Sequence, residues 1–321
     1  MSNSQFFSNC PAESILEAAA ALKAGCLVAF PTETVYGLGA DASNEIAVKR
    51  IYEVKGRPTN HPLIIHVSSI NALDIWAKEI PDYAIELAHV YWPGPMTIIL
   101  KRSSAAKDFV TGGEDSVGIR IPSNLIALKL LSDFESLGGL GVAAPSANRF
   151  GQVSPTSSSD VSDEIGSCLL NSDVILNGGQ SEVGIESTII DCRSKAPTIL
   201  RPGAITESLI NKIRRVEFNS HQNKIRVSGS FEKHYAPAAR ILVNQTPIQG
   251  QAYYALSKYI TPENVYRISA PISVENFAKD LYKAMREADK LGFTELVIQI
   301  PDNSELAVAI GDRVLRSAKG R

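Results

Sequence analysis

Apolar and polar positions along this chain alternate in blocks of two kinds, some with helical spacing and some as short continuous runs. "SILEAAAALKAG" (14–25) has helical spacing; Ser14 with Glu17 three residues on predicts a capping box, and Gly25 a stop. "CLVAF" predicts a short buried strand ending at Pro31. "EIAVKRIYEVKG" predicts an amphipathic helix, with Ile46, Ile51 and Val54 on one face and Gly56 just past its end. "LIIHV", "MTIIL", "VGIRIP", "GVAAPSAN", "STIIDC" and "TILRPG" read as strands bounded by Pro, Gly or Asn. Helical patterns such as "LIALKLLSDF" separate some of them but not all. The mixture predicts an α/β fold with a mixed, twisted sheet rather than a regular Rossmann wind, extending to about residue 205.

Residues 216–237, "VEFNSHQNKIRVSGSFEKHYAP", are polar, Ser-rich and weakly periodic, and predict a linker. Beyond them the alternation restarts with "RILVN", "AYYALS" and "NVYRIS". The helix "SVENFAKDLYKAMREADKLG", the strand "ELVIQI" and a final helix complete it. The organisation expected is therefore a domain over 1–215, a linker over 216–237 and a smaller α/β, Rossmann-like domain over 238–321.

Composition narrows the classes open to such a fold. A hydrophobic content of 44% with 21% charged residues describes a globular chain able to bury a core. A net charge of -2 argues against coating nucleic acid through bulk charge, while leaving a local basic pocket open. Cys10, Cys26, Cys168 and Cys192 form no C-x-x-C pair, which points away from structural zinc and disulfides and fits a reducing compartment. No apolar run reaches membrane-spanning length, and "MSNSQFFSNC" has no charged segment leading into an apolar one. A cytoplasmic protein is expected.

The candidate chemistry sits at strand ends. In "PTETVYGLGADA" (31–42), Thr32, Glu33 and Thr34 follow a buried strand, and Gly37 and Gly39 would let backbone approach a ligand; the alternative is a tight strand-to-helix connection. In "KGRPTNHPLIIHV" (55–67), Lys55 and Arg57 close a helix, where cations favour the dipole even without a ligand. His66 faces away from Ile65 and Val67. Arg120 lies inside the apolar strand "GIRIPS" and needs a carboxylate or phosphate, either from an internal acid or from a ligand. "APSANRFGQVSPT" (144–156) gathers Ser146, Asn148, Arg149 and Ser154; "GIESTIID" adds Glu186, Ser187 and Thr188, and "LRPG" adds Arg201. There is no P-loop, G-x-S-x-G or H-E-x-x-H. Cations with hydroxyl and amide donors suit phosphate and carboxylate binding, and reactions driven by positioning and charge stabilisation.

Read in order, "PTETVYGLGADA", "KGRPTNHPLIIHV", "WPGPMTIIL", "VGIRIPS", "APSAN", "GIESTIID" and "LRPGAI" resemble the YrdC-like domain of the threonylcarbamoyl-AMP synthase family. "HYAP" and the tail "LYKAMREADKLGFTELVIQIP" resemble its two-domain form. The resemblance implies a YrdC-like catalytic domain that makes threonylcarbamoyl-AMP from L-threonine, bicarbonate and ATP, releasing pyrophosphate. It implies Mg2+ with the ATP and no metal ligands from protein side chains. Downstream proteins would transfer the group to tRNAs reading codons that begin with A, with direct tRNA contact undecided. The family's Lys-x-Arg and Ser-x-Asn catalytic set falls on Lys55, Arg57, Ser146 and Asn148. Its threonine site falls on Thr34, His66, Arg120, Ala144 (through the backbone) and Ser187. Its ATP site falls on Arg57, His61, Ser116, Ser146, Ser154, Arg201 and Tyr235, the last from the linker. His61 stands where many members carry asparagine. Two other readings compete: a non-catalytic tRNA or double-stranded RNA binding module, disfavoured by the net charge, and a carbamoyl-adenylate-forming domain acting on another acceptor.

Overall fold

The apolar runs pair into two sheets. A computed structural model describes residues 10–216, 226 and 235–320. The first sheet contains β1 (Val28–Phe30), β2 (Gly37–Asp41), β3 (Ile64–His66), β4 (Ala77–Lys78), β5 (Met96–Arg102), β6 (Ser116–Arg120), β7 (Val142–Ala143), β8 (Val174–Ile175), β9 (Thr188–Asp191) and β10 (Thr198–Arg201). Their order is β10-β9-β5-β6-β3-β7-β2-β1-β8, with β4 on β5. The pairs β3–β6, β5–β9 and β1–β8 are parallel and the rest antiparallel, so the sheet is mixed as expected. The helices of this part are α1 (Ala12–Lys23), α2 (Glu45–Lys55), α3 (Leu73–Trp76), α4 (Asp82–Tyr91), α5 (Asp108–Thr111), α6 (Leu125–Ser136), α7 (Ser158–Ile165) and α8 (Glu207–Asn211).

Period-two geometry divides β3 and β6 between two environments. Ile65 and Ile119 enter the large core with Ile51, Leu87 and Ile98, whereas Ile64 packs with Ile99 and Ile189 on the other face. That second face also carries His66 and Arg120, brought side by side by the parallel register. At one end of it α1 and α6 pack over Val28, Phe30 and Val142.

Three local expectations need correction. The first helix starts at Ala12 after Pro11, and no side chain caps it, so Ser14 lies inside the first turn. Proline at such a boundary supplies a preset φ and lacks only a donor that the first turn would leave unused. Ile46 is 77% exposed; the buried stripe of α2 is instead Ala47, Val48, Ile51, Tyr52, Val54 and Lys55. "GLGAD" is a strand, not a loop: β2 pairs antiparallel with β1. At Gly39 a Cβ would lie 2.7 Å from Val142 Cγ1 and 2.9 Å from Phe30, so strand packing, not a ligand, requires that glycine.

The second sheet is wholly parallel, in the order β11 (Arg240–Val243), β14 (Glu295–Ile298), β12 (Ala252–Tyr254), β13 (Tyr266–Ser269). Helices α9 (Val274–Lys290) and α10 (Glu305–Ala318) follow β13 and β14, but loops alone join the first three strands, so the wind is only partly Rossmann-like. The apolar stripe of α9, including Phe277, Leu281 and Met285, shares one cluster with Val35, Val153 and Ile185 of the first part. Ion pairs Arg286–Glu164 (2.9 Å) and Lys290–Asp163 (3.0 Å) border this junction. Most of the expected linker lies outside the described residues; Arg226 within it pairs with Glu114 at 2.6 Å. No helix among the described residues is long and apolar enough to cross a membrane.

Candidate active site

A cavity of about 540 Å³, counted to its open mouth, lies on the face that carries His66 and Arg120. Ile64, His66 and Arg120 line it from the sheet, and the loop before β2 contributes Thr32, Thr34 and Val35. Tyr36 and Gly37 follow, and Ala144, Pro145 and Ser146, then Glu186, Ser187 and Arg201, complete the walls with Arg57 and Tyr235. Nine of the fourteen residues that the family resemblance implies thus meet here: Thr34, Arg57, His66, Arg120, Ala144, Ser146, Ser187, Arg201 and Tyr235. Thr32, Gly37 and Glu186, singled out by their place at strand ends, join them.

Arg120 answers its burial with several partners at once. Nη1 donates to Thr34 Oγ1 at 2.8 Å and Nε to the Gly94 carbonyl at 3.3 Å. Nη2 lies 2.8 Å from Glu33 Oε1, an ionic contact without hydrogen-bond alignment. The internal acid left open by the sequence is therefore Glu33, yet the fork keeps hydrogen-bonding capacity at Nη2. Thr32 fixes this loop: its Oγ1 donates to the Val35 carbonyl at 2.6 Å and accepts from the Thr34 and Val35 amides. Arg201 grips the next wall, donating from Nε to the Ser187 carbonyl at 3.0 Å and from Nη2 to Ser187 Oγ at 3.1 Å. Ser187 Oγ also meets Thr97 Oγ1 at 2.8 Å. Arg57 donates to the Pro62 carbonyl at 3.0 Å, and its guanidinium stands 5.9 Å from the Phe150 ring. Burial lowers its pKa to about 10, which leaves it charged at neutral pH. Three guanidinium groups in one cavity are chemistry suited to phosphate or carboxylate.

Five residues expected in the site do not line the cavity. Lys55 is buried, and its Nζ donates to the backbone carbonyls of Ser146 (2.5 Å) and Asn148, so its ammonium holds the loop that carries Ser146. Burial, with Arg57 nearby, pushes its pKa well down. Asn148 turns its Nδ2 to the carbonyls of Arg149 and Gln152, bracing the same loop. His61 packs against Phe150, ring centroids 5.4 Å apart, beside rather than within the cavity. Ser116 opens β6 and Arg120 closes it, roughly 13 Å along the strand. Ser154 donates to Glu186 Oε1 at 2.6 Å and acts on the wall from behind.

Sequence reading missed Arg313 and Tyr282. Arg313 Nε reaches Glu186 Oε2 at 3.0 Å, and the Tyr282 hydroxyl donates to the same oxygen at 2.9 Å. Burial raises the Glu186 carboxyl, but Arg313 and Arg201 with the Ser154 bond outweigh it and hold it down at about 2. A signal existed: Arg313 falls on the apolar stripe of α10 with Ala309, Ile310 and Val314. A charged residue at a core position demands a buried partner. Tyr235, at φ 63°, stacks on Tyr282 with centroids 5.6 Å apart, and its carbonyl accepts from Ser317 Oγ at 2.9 Å.

His66 makes a measurable pH expectation. Burial, aided by Arg120, lowers its pKa from 6.5 to about 3, so the folded protein binds fewer protons than the unfolded chain between those values. Stability is then full above pH 6.5 and falls as pH drops toward 3, by on the order of a few kcal/mol. Melting temperature measured from pH 8 to pH 4 should decline below 6.5, and His66→Gln should flatten that decline. Parallel curves for the two proteins would contradict it.

Residues 20–203 match the Sua5/YciO/YrdC family model, described as telomere recombination. Residues 204–319 match the model described as threonylcarbamoyl-AMP synthase, C-terminal domain. The threonylcarbamoyl-AMP synthase of Pyrococcus abyssi is 37% identical over 326 residues, spanning 94% of this chain and 93% of its own length. That of Bacillus subtilis is 35% identical over 331 residues, spanning 96% and 93%. The crystal structure of P. abyssi Sua5 complexed with L-threonine superposes with a TM-score of 0.85 at 35% identity, covering 97% of this chain and 95% of that one.

Proposed function

The chain belongs to the Sua5/YciO/YrdC family, in its two-domain threonylcarbamoyl-AMP synthase form, and we propose that it joins L-threonine, bicarbonate and ATP into threonylcarbamoyl-AMP, releasing pyrophosphate. The observation that carries the reading is one cavity lined by three guanidinium groups with hydroxyl donors. In this reading Arg120, His66 and Thr34 would take the amino-acid carboxylate, and Arg57, Arg201, Ser146 and Tyr235 the nucleotide.

Bicarbonate takes up a proton and loses water to give CO2, which threonine's amine captures, releasing a proton, to give an N-carboxylate. A carboxylate oxygen then bonds to the α-phosphorus of ATP, the bond from that phosphorus to the bridging oxygen breaks, and pyrophosphate departs with the electron pair. Charge grows on phosphate oxygens throughout, where Arg57 and Arg201 stabilise it. Lys55 contributes by holding the Ser146 loop in position. His66, neutral at working pH, leaves Arg120 as the charge at the threonine end. Mg2+ bound to the triphosphate would supply further neutralisation. Glu186 and Glu33, the buried acids of this region, are each paired with an arginine, so the donor set favours an ion carried by phosphate and water. The product would serve N6-threonylcarbamoyladenosine formation in tRNA through downstream transfer proteins.

The test is pyrophosphate release from ATP with bicarbonate and Mg2+, comparing L-threonine, L-serine and no amino acid. Threonine-dependent release is expected, reduced roughly a hundredfold or more in Arg57→Ala. No release from folded protein with threonine would remove this reading and favour the RNA-binding one.

A further inference from the structure

Glu186 is the only acidic side chain among the described residues that line the cavity. A carboxylate there opposes what a triphosphate needs, because like charges in a partly desolvated site repel strongly. It is nevertheless placed with care. Ser154 Oγ donates to Oε1, the Tyr282 hydroxyl reaches both oxygens, and Arg313 Nε pairs with Oε2. Arg313 is wholly buried, and its remaining groups are also engaged. Nη1 donates to the Pro202 carbonyl at 2.8 Å and to Asp312 at 3.0 Å, and Nη2 to the Glu186 carbonyl at 3.2 Å. Its guanidinium also stands 5.9 Å from the ring of Tyr235 on the cavity wall. The charge that neutralises Glu186 thus comes from α10, 127 residues away in sequence, and does not itself line the cavity.

We infer that Arg313 is a charge-compensating positioning residue, through which the C-terminal unit keeps the nucleotide end of the cavity positive without touching the nucleotide. The inference rests on the proposed reaction, since it concerns ATP at that end. With Arg313 present, Glu186 draws less on Arg201, which is left to act on phosphate with Arg57. With Arg313 gone, Glu186 turns its charge on Arg201 and on the triphosphate together. Its backbone adjoins Ser187, which Arg201 holds, so a shift of Glu186 would also disturb that grip. Glu186 thus makes nucleotide binding conditional on a docked C-terminal unit: a chain whose α10 is displaced presents a carboxylate to the triphosphate.

The test is a charge-reversal cycle read as the KM for ATP at saturating L-threonine and bicarbonate. Arg313→Gln is expected to raise the KM for ATP tenfold or more with a smaller change in kcat. Adding Glu186→Gln to it should return the KM to within about threefold of the original protein. A role as mere packing predicts no such rescue, because the double variant lacks the same ion pair and interface. Should Arg313→Gln not fold, Arg313→Lys keeps the charge beside Glu186 and is expected to stay within about threefold in KM; a tenfold loss in a folded Lys variant overturns the inference. So does a folded double variant as weak as Arg313→Gln, or a folded Arg313→Gln with unchanged KM. The original protein, run alongside, separates the two questions: absence of threonine-dependent turnover there defeats the proposed function, whereas turnover without rescue defeats this inference alone.

Discussion

Arg120→Gln is expected to abolish threonine-dependent pyrophosphate release, with a loss of a hundredfold or more, and to lower stability by about 3–5 kcal/mol. Both effects follow from what the guanidinium does. It is 4% exposed and lies beside Glu33, itself 3% exposed, whose carboxylate oxygens make no hydrogen bond among the described residues. Removing the cation strands that buried carboxylate, and stranding a buried charge costs far more than the pair contributes net. The catalytic loss has a separate origin: Thr34 and Glu33 fix the guanidinium on the cavity wall, where in the proposed reaction it would grip the threonine carboxylate. Lysine in that place supplies a point charge and no fork, so Arg120→Lys should keep much of the stability and little of the threonine affinity. Glu33→Gln combined with Arg120→Gln pulls the two effects apart. Melting should recover, since no buried charge remains, while release stays absent. A folded Arg120→Gln that keeps an ordinary KM for threonine would remove Arg120 from the carboxylate site.

Gly184→Val should have a comparably large effect without touching any ligand. Gly184 has φ 77°, and a Cβ there would lie 2.4 Å from both Cα and the carbonyl oxygen of Lys279 in α9. Those neighbours are helix backbone and cannot yield as a side-chain tip can, and a β-branched residue in the left-handed region adds about 1–2 kcal/mol of its own. Either the chain loses several kcal/mol of stability or α9 moves away from the loop before β9. The second outcome carries Tyr282 off Glu186, two residues from the substitution, and disturbs α10, which packs on α9 and holds Arg313. Thermal melting and the KM for ATP, read together, follow both routes. A variant that melts with the original protein and keeps its KM would show that this close approach does not matter.

How far the sequence reached can be judged from particular residues. Period two in "LIIHV" places His66 opposite Ile65 and Val67, because alternation across a strand is a local property of extended backbone, and "GIRIPS" sets Arg120 inside an apolar strand. Seven ordered motifs indicate the family and eight of the expected residues that line the cavity; "HYAP" adds Tyr235 as the ninth. The helix α9 is equally plain, since helical periodicity over seventeen residues declares itself. Where local signals point wrongly, a neighbour in sequence outweighs them: Pro11 takes the helix start from Ser14, and glycines hide β2 because they carry no strand propensity.

Tertiary structure alone decided which way the charges point. Lys55 has the same local sequence whether it faces phosphate or the carbonyls of Ser146 and Asn148; packing of α2 against a loop 91 residues on selects the second. Arg120 required a partner, but only the fold made that partner Glu33. Glu186 required a cation, and the docking of α10 supplied Arg313. The physical reason is common to all three. Periodicity and turn chemistry are set by neighbours within a few residues, whereas the partner of a buried charge is set by which distant surface desolvates it, and that is fixed only when the sheets and helices close upon one another.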